Sequence, residues 1–153
     1  MKAFILAATL LAAPALAQPP SPGEEAALNA LAAEADAAWN AGDAARMTAA
    51  YADNGSLRLG SGPAIEGQAA IRAQFDTAFA ARRGTMRHVT SVDRIELVRP
   101  DLAVSDAAVS IEQQQADGSW RPLRAFRNVS IAARGPRGWR LQTVRAVPVP
   151  LQD

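Results

Sequence analysis

Hydrophobic side chains recur at helical spacing near the start of the chain, which predicts a long first helix. One apolar stripe consists of Leu28, Leu31, Ala35 and Trp39. Ser21 precedes this stripe, with Pro next and Glu three residues on, which is the pattern of a capping box. The helix is therefore expected to begin at Ser21 and to end at Gly42.

Two further helices are predicted before residue 84. Asp43 is suited to cap a short second helix, and Gly67 leads into a third. The buried sides of these helices are expected to be Met47, Ala50 and Tyr51 in the second and Ile71, Phe75 and Phe79 in the third. Between them, residues 53–55 predict a turn and residues 56–59 a short strand.

Beyond Gly84 hydrophobic and polar residues alternate, which is the pattern typical of strands. The predicted strands cover residues 85–98, 102–114, 119–133 and 138–147. Short turn sequences separate them, so consecutive strands should form an antiparallel meander. Helices first and strands later indicate an α+β fold, with a curved antiparallel sheet packed on three N-terminal helices. A cone-shaped hollow is expected between the two layers.

The first 17 residues have the pattern of a secretory signal. Lys2 is followed by an apolar run, too short to span a bilayer, and by a small-residue cleavage site ending at Ala17. We therefore expect an exported, periplasmic protein. Residues 18–23 predict a mobile Pro-rich tail, and residues 24–150 a single domain.

Composition excludes several kinds of chemistry. The chain has no Cys and one His, and its only lysine, Lys2, is expected to leave with the signal. Thiolate catalysis, lysine Schiff bases and His-rich or Cys-rich metal sites are therefore excluded. No dinucleotide fingerprint is present, and we expect neither a metal nor a cofactor. Residues 118–152 hold seven Arg and no acid, but without a nucleic-acid-binding motif or interleaved aromatics we expect no nucleic acid or membrane partner.

Four sequence segments carry a resemblance to a known superfamily. They are WNAGD (39–43), YADNGSL (51–57), IEGQAAIRAQF (65–75) and GWRLQTVRAVPVP (138–150). In this order they resemble the nuclear-transport-factor-2-like, or SnoaL-like, superfamily. VRPDLAV (98–104) and the last segment look most like its SgcJ/EcaC-type subfamily. The resemblance implies a cystatin-like cone fold and a homodimer formed through the outer face of the sheet.

The isomerase members of this superfamily use two Asp and a Tyr for proton transfer. The resemblance assigns these positions to Leu59 for the base, Ala35 for the Tyr, and Arg124 or Ala125 for the second Asp. None of these residues can act as an acid or a base. The chain is therefore not expected to be a ketosteroid isomerase.

Two residues are the candidates for catalysis, His88 and Asp106. His88 is the one side chain that titrates near neutral pH without perturbation. Asp106 interrupts an apolar strand, where a charge pointing inward would need a partner. Strand alternation places it with Val104 and Ala108 on the face less suited to the core, so it is expected to point to solvent or to a partner chain. An inward Asp106 beside His88 is the alternative.

The candidate ligand-binding wall combines aromatic and polar side chains: Trp39, Tyr51, Phe75, Phe79, His88, Phe126, Asn128 and Arg145. The aromatics are either core or pocket wall. By the resemblance to the dehydratase members, His88, Tyr51 and Asn128 could act together. Arg145 could bind an anion in the cone or form a salt bridge to Asp43 or Asp53.

Three functions fit these observations. The first is an exported protein that binds a small apolar or anionic molecule without turnover. The second is an acid–base lyase or isomerase, of the isomerase, cyclase or dehydratase type, that uses His88 with Tyr51 or Asp106. The third is a dimerisation or assembly domain whose cone is filled by its own side chains. The sequence favours them in that order.

Overall fold

A computed structural model describes residues 17–151 of the chain. The predicted signal peptide therefore lies outside the described residues, apart from Ala17, and export stays a prediction. The elements are α1 (Pro22–Ala41), α2 (Ala44–Ala49), β1 (Tyr51–Leu59), β2 (Ala64–Glu66), α3 (Gly67–Ala80), β3 (Met86–Arg99), β4 (Leu102–Gln114), β5 (Trp120–Gly135) and β6 (Gly138–Val149). Within residues 17–151, no helix is long and apolar enough to cross a membrane.

Helix α1 begins and ends where the sequence predicts. The Ser21 side chain accepts a hydrogen bond from the Glu24 amide, and the Glu24 carboxylate accepts one from the Ser21 amide. These bonds satisfy two donors that the first turn leaves free. At the other end Gly42 has a φ of 68°, a left-handed conformation that favours Gly.

The predicted second helix is too long by two residues. Tyr51 lies at the start of β1 and not on the buried side of α2, because the amide of Leu141 binds the Ala50 carbonyl and draws the chain into the sheet. The turn predicted at residues 53–55 also lies inside β1. There the pairing of β1 with β6 shifts between Tyr51 and Ser56. A turn sequence here produces a bulge, not a chain reversal.

The six strands form one sheet in the order β2-β1-β6-β5-β4-β3. Strands β3 to β6 form the predicted antiparallel meander. Strand β1 pairs with β6 in parallel, so the sheet is mixed and not wholly antiparallel. This difference arises because β2, α3 and three further strands separate β1 from β6 along the chain, and only consecutive strands with short turns must alternate in direction. The three-residue strand β2 was not predicted.

The Pro-rich segment after Ala17 is not a free tail. The Gln18 amide donates to the Leu97 carbonyl at 2.9 Å, and the Leu97 amide donates back to the Gln18 carbonyl at 2.8 Å. Leu97 belongs to β3, which is an edge strand of the sheet. Gln18 thus uses free edge groups of β3, and α1 already begins at Pro22, so both ends of the Pro-rich segment are attached to the fold.

The helices pack on one face of the sheet through three small apolar clusters. The first joins α1 to the sheet through Leu28, Leu97, Ala103, Ala132 and Trp139. The second joins α3 to β1 and β6 through Tyr51, Leu57, Ile71 and Val144. The third joins the helices to each other through Ala38, Trp39 and Met47. The clusters lie around a hollow, so the core is a shell and not one continuous mass.

We predict that position 55 must be Gly because the close packing at the β1 bulge leaves no room for a Cβ atom. A Cβ atom there would lie 2.9 Å from the Leu141 carbonyl oxygen and 3.0 Å from the Ala52 carbonyl oxygen. We expect Gly55→Ala to lower the free energy of unfolding by about 1–3 kcal/mol, measured by urea denaturation. Gly135→Ala is the matched control, because nothing lies within 4 Å of its added Cβ. Equal effects of the two substitutions would contradict this account.

Candidate functional site

A cavity of about 660 Å³ lies between the helices and the inner face of the sheet. Of the predicted wall residues, Trp39, Tyr51, Phe75, His88, Phe126 and Asn128 line it. Phe79 does not line it. It packs behind the wall, with its ring centroid 6.0 Å from that of Trp39 and 5.9 Å from that of Phe75. Most other lining residues are apolar, and no Asp or Glu is among them.

His88 reaches the cavity from the edge strand β3 and is held by α1. Its Nδ1 atom lies 2.6 Å from Oδ1 of Asp36, which is one turn before Trp39 on the helix. The two side chains are largely buried, with 13% of His88 and 21% of Asp36 exposed. The His88 ring lies 5.4 Å from the Trp39 ring, tilted by 36°. The imidazole is therefore fixed on two sides.

Asp36 accepts three hydrogen bonds from β3. Besides His88, the Thr90 hydroxyl donates to Oδ1 at 2.6 Å and the Thr90 amide donates to Oδ2 at 2.8 Å. Burial alone would raise the pKa of Asp36, but the bonds from His88 and Thr90 outweigh it, and the net shift lowers the pKa. Asp36 is thus a carboxylate at neutral pH.

The ionised Asp36 determines the tautomer of His88. A carboxylate can only accept hydrogen bonds, so the proton of a neutral imidazole must be on Nδ1. Nε2 then carries the free electron pair. His88 lines the cavity whereas Asp36 does not, so Nε2 is the ring nitrogen that can receive a proton from a bound molecule.

Asn40 fixes the backbone of β3 at the same position. Its Oδ1 accepts from the His88 amide at 2.6 Å, and its Nδ2 donates to the His88 carbonyl at 3.2 Å. Asp36 and Asn40 are four residues apart, so both project from one face of α1. Together they hold His88 by its ring and by its main chain.

Asp106 is not the partner of His88. Within β4 it lies opposite Arg94 of β3 and Val129 of β5. Its neighbours Ser105 and Ala107 line the cavity, but Asp106 does not. It therefore lies on the outer face of the sheet, which agrees with the alternation of β4. The expected contact between His88 and Asp106 is therefore absent, and the carboxylate that lies beside His88 is that of Asp36.

Arg145 is also outside the cavity. Its guanidinium donates to the Ser56 hydroxyl at 3.4 Å and to the Val144 carbonyl at 3.2 Å. Neither predicted salt bridge forms, since Asp43 caps α2 and Asp53 binds Arg137 at 2.8 Å. Both interpretations of Arg145 are wrong because a bulge in β6 near Thr143 sets which face each residue of that strand occupies.

Two predicted polar residues do lie on the wall. Asn128 comes from β5, and its Oδ1 is buried without a hydrogen-bond partner among the described residues. Burial raises the pKa of Tyr51, so this side chain is a neutral phenol and cannot serve as a base. Asn128 thus keeps an unsatisfied acceptor at the cavity wall, and Tyr51 acts mainly as apolar surface.

The positions that the resemblance assigns to isomerase chemistry also lie on the wall. Leu59, Ala35 and Arg124 line the cavity, and none of them is the Asp or Tyr that the isomerase members use there. Residues 17–151 also contain no cluster of three or more His, Asp or Glu that could hold a metal ion.

The chain belongs to the SnoaL-like domain family, whose model matches residues 23–145. The predicted superfamily is therefore confirmed, while the SgcJ/EcaC-type subfamily stays a prediction. No curated protein matches the chain.

Solved structures with the same fold come from several bacteria. An NTF2-like protein with a cystatin-like fold from Novosphingobium aromaticivorans is 20% identical, with a TM-score of 0.75 over 85% of this chain and 84% of that one. A domain of unknown function from Nostoc punctiforme is 19% identical, with a TM-score of 0.75 over 86% and 81%. A ketosteroid isomerase-like protein from Erwinia carotovora is 19% identical, with a TM-score of 0.69 over 86% and 100%. At these identities the likeness shows the fold alone.

Sequence reasoning missed Asp36 and Asn40. They are separated from His88 by 52 and 48 residues, and no local pattern connects them. One signal was present. Asp36 is adjacent to the apolar stripe of α1, and Asn40 follows it by one helical turn. Polar residues at this spacing beside a buried stripe indicate contact with another element of the fold.

Asp36 is predicted to make folding stability depend on pH. Its pKa is lower in the folded than in the unfolded chain, so its stabilising effect is present above the unfolded pKa and is lost as pH falls through the folded pKa. We expect Asp36→Asn to reduce the free energy of unfolding at pH 7 by about 1–3 kcal/mol, because donors on β3 lose their ionised acceptor. The difference from wild type should shrink at pH 3, as measured by urea denaturation at both pH values.

The exposed substitution Asn29→Ala, on the same helix, controls for changes at the surface of α1. It removes no titratable group and should follow the wild-type pH dependence. A difference between wild type and Asp36→Asn that is the same at pH 7 and pH 3 would show that folding does not change the pKa of Asp36.

Proposed function

We propose that the protein binds a small, mainly apolar molecule in its cavity and removes a proton from a carbon atom of that molecule with His88. The observation that carries this proposal is the 2.6 Å hydrogen bond between His88 and Asp36 at the wall of an otherwise mostly apolar cavity. A base that is oriented by a carboxylate and shielded from water is well suited to proton transfer.

The proposed step is a proton abstraction followed by proton return. The C–H bond of the substrate breaks and its proton goes to Nε2 of His88. The electron pair enters a new C=C bond while a leaving group departs, or it shifts an existing double bond. The imidazolium then gives its proton to the leaving group or to another carbon atom. The reaction class is thus that of a lyase or an isomerase.

The surrounding residues have distinct parts in this scheme. Asp36 is a positioning residue, since it fixes the tautomer and stabilises the imidazolium without facing the cavity. Trp39 packs against the imidazole and limits its rotation. The free Oδ1 of Asn128 marks this amide as a hydrogen-bond partner for a polar atom of the substrate.

Binding without turnover is the second candidate function. The specific observation in its favour is the cavity itself, which at about 660 Å³ has the size of small-molecule sites and is mostly apolar. The same hollow counts against an assembly domain with a filled cone, because the side chains of residues 17–151 do not fill it. The homodimer inferred from the resemblance stays a prediction.

A neutral probe for proton abstraction tests the proposed chemistry. The ring of 5-nitrobenzisoxazole opens when a base removes its C3 proton, and the phenolate that forms is coloured. We expect the wild-type protein to accelerate this reaction, and His88→Gln to reduce the rate by about 100-fold or more, because general-base catalysis has this magnitude. Asp36→Asn should reduce the rate less, and Asp36→Glu should recover part of the loss.

Asp106→Asn is the matched control, since it removes a carboxylate from the outer face of the sheet and should leave the rate unchanged. Binding of the probe is measured in parallel by calorimetry. A wild-type protein that binds the probe but is no faster than His88→Gln would reject the enzyme and favour the binding function.

A further inference from the structure

The arginines that line the cavity differ from the others in their partners. Of the 15 Arg, eight lie within salt-bridge distance of a described carboxylate. Three Arg line the cavity, and none of them is among these eight: Arg82, Arg83 and Arg124. No Asp or Glu lines the cavity, so no carboxylate of residues 17–151 neutralises these positive charges at the wall.

Arg82 is the most confined of the three. It follows the end of α3, and its guanidinium carbon lies 3.6 Å from the Trp39 ring centroid and 4.0 Å from that of Phe79. Nη2 donates to the Trp39 carbonyl at 2.5 Å. A guanidinium stacked on two rings is held in one orientation, which prepares it to bind a planar anion.

One donor of this guanidinium has no partner. Nε of Arg82 is buried and makes no hydrogen bond within the described chain. Burial lowers the pKa of Arg82, although a guanidinium remains charged at neutral pH. Arg82 is thus a partly buried cation without a carboxylate partner among the described residues, and a bound anion would offset the free energy that its partial burial costs.

Arg82 and His88 are close enough to contact one small molecule. Both pack on Trp39, with the guanidinium carbon 3.6 Å and the imidazole centroid 5.4 Å from its ring centroid. The separation of the two groups is therefore at most about 9 Å, the sum of those distances. A molecule only a few bonds long can place a charged group at Arg82 and a carbon atom at His88.

Arg124 adds a second cation at the same level of the sheet. Arg124 of β5 lies opposite Ile111 of β4, and Ile111 lies opposite His88 of β3. One strand separates Arg124 from His88, so their backbones are about 10 Å apart. Arg124 and Arg83 are exposed, so they attract an anion from solution, whereas Arg82 lies deeper.

We propose that the ligand of this cavity is a small carboxylic acid with an apolar body, and that Arg82 binds its carboxylate. This inference rests on the proposed function, because it takes the cavity to be the ligand site. The carboxylate would bind the N–H groups of the guanidinium that remain beside the bond from Nη2 to the Trp39 carbonyl, with the geometry of a forked pair. The apolar body would occupy the space between Trp39, Phe75 and Phe126, with the reacting carbon near His88.

Two probes of equal shape test the proposal. 2-Naphthoic acid and 2-naphthamide share an apolar body and differ in charge. We expect calorimetry to show that the acid binds to the wild-type protein at least about tenfold more tightly than the amide. A charge-assisted hydrogen bond contributes a free energy that corresponds to this difference in affinity. Arg82→Gln should bring the ratio of the two dissociation constants close to one, and Arg82→Lys should retain part of it.

The ratio of acid to amide affinity is unaffected if part of a variant is unfolded, because both probes need the same folded fraction. Arg121→Gln is the matched control. It removes an exposed Arg that neither lines the cavity nor pairs with a described carboxylate, and it should keep the wild-type ratio.

Equal affinities of acid and amide in the wild type, or an unchanged ratio in Arg82→Gln, would overturn the role of Arg82. In both cases binding of the amide would leave the proposed function standing. Failure of both probes to bind would overturn the role of the cavity and the proposed function together. An equal loss of the ratio in Arg121→Gln would show a general charge effect and also reject Arg82 as the binding residue.

Discussion

The attachment of α1 to the edge strand β3 is the interaction on which the rest of the molecule depends. Asp36 and Asn40 bind the amides of Thr90 and His88, and Asn40 also binds the His88 carbonyl. These groups belong to the free edge of the sheet, where unpaired N–H and C=O groups would otherwise template association with another chain. The same bonds join α1 to the sheet beside the cavity and fix the orientation of His88. Protection of the edge and the position of the imidazole thus depend on two side chains of one helix.

The cavity exists because the residues that face it are small where two layers meet. The wall includes seven Ala and two Ser: Ala32, Ala35, Ala78, Ala81, Ala107, Ala132, Ala146, Ser105 and Ser130. Larger residues gather in two clusters where helices touch the sheet and in a third where the helices touch each other. Close packing at these points holds the layers apart, and short side chains between them leave the volume unfilled. The many Ala residues of this sequence therefore leave space for the cavity as well as favouring helices.

Much of the fold follows from local patterns in the sequence. The capping box at Ser21, the left-handed Gly42 and the alternation in β4 depend on neighbouring residues, and the structure has each of them as predicted. The parallel pairing of β1 with β6, the assignment of Tyr51 to a strand and the position of Arg145 depend on residues about 90 positions away or on bulges. Among the site residues, His88 was identified by its chemistry, but Asp36 was not. Its partner strand is remote in sequence, and an acid on an Ala-rich helix gives no sign of which strand it meets.

The parallel pairing of β1 with β6 has a kinetic consequence. Strand β6 is the last of the chain, yet it lies between β1 and β5 in the sheet. Until β6 is in place, β1 has no strand partner in the meander, and one wall of the cavity is missing. Contacts between residues so far apart in sequence close a long loop, and the conformational entropy that this costs slows folding. A chain cut short before residue 138 would therefore hold the aspartate and the imidazole but no enclosed space around them.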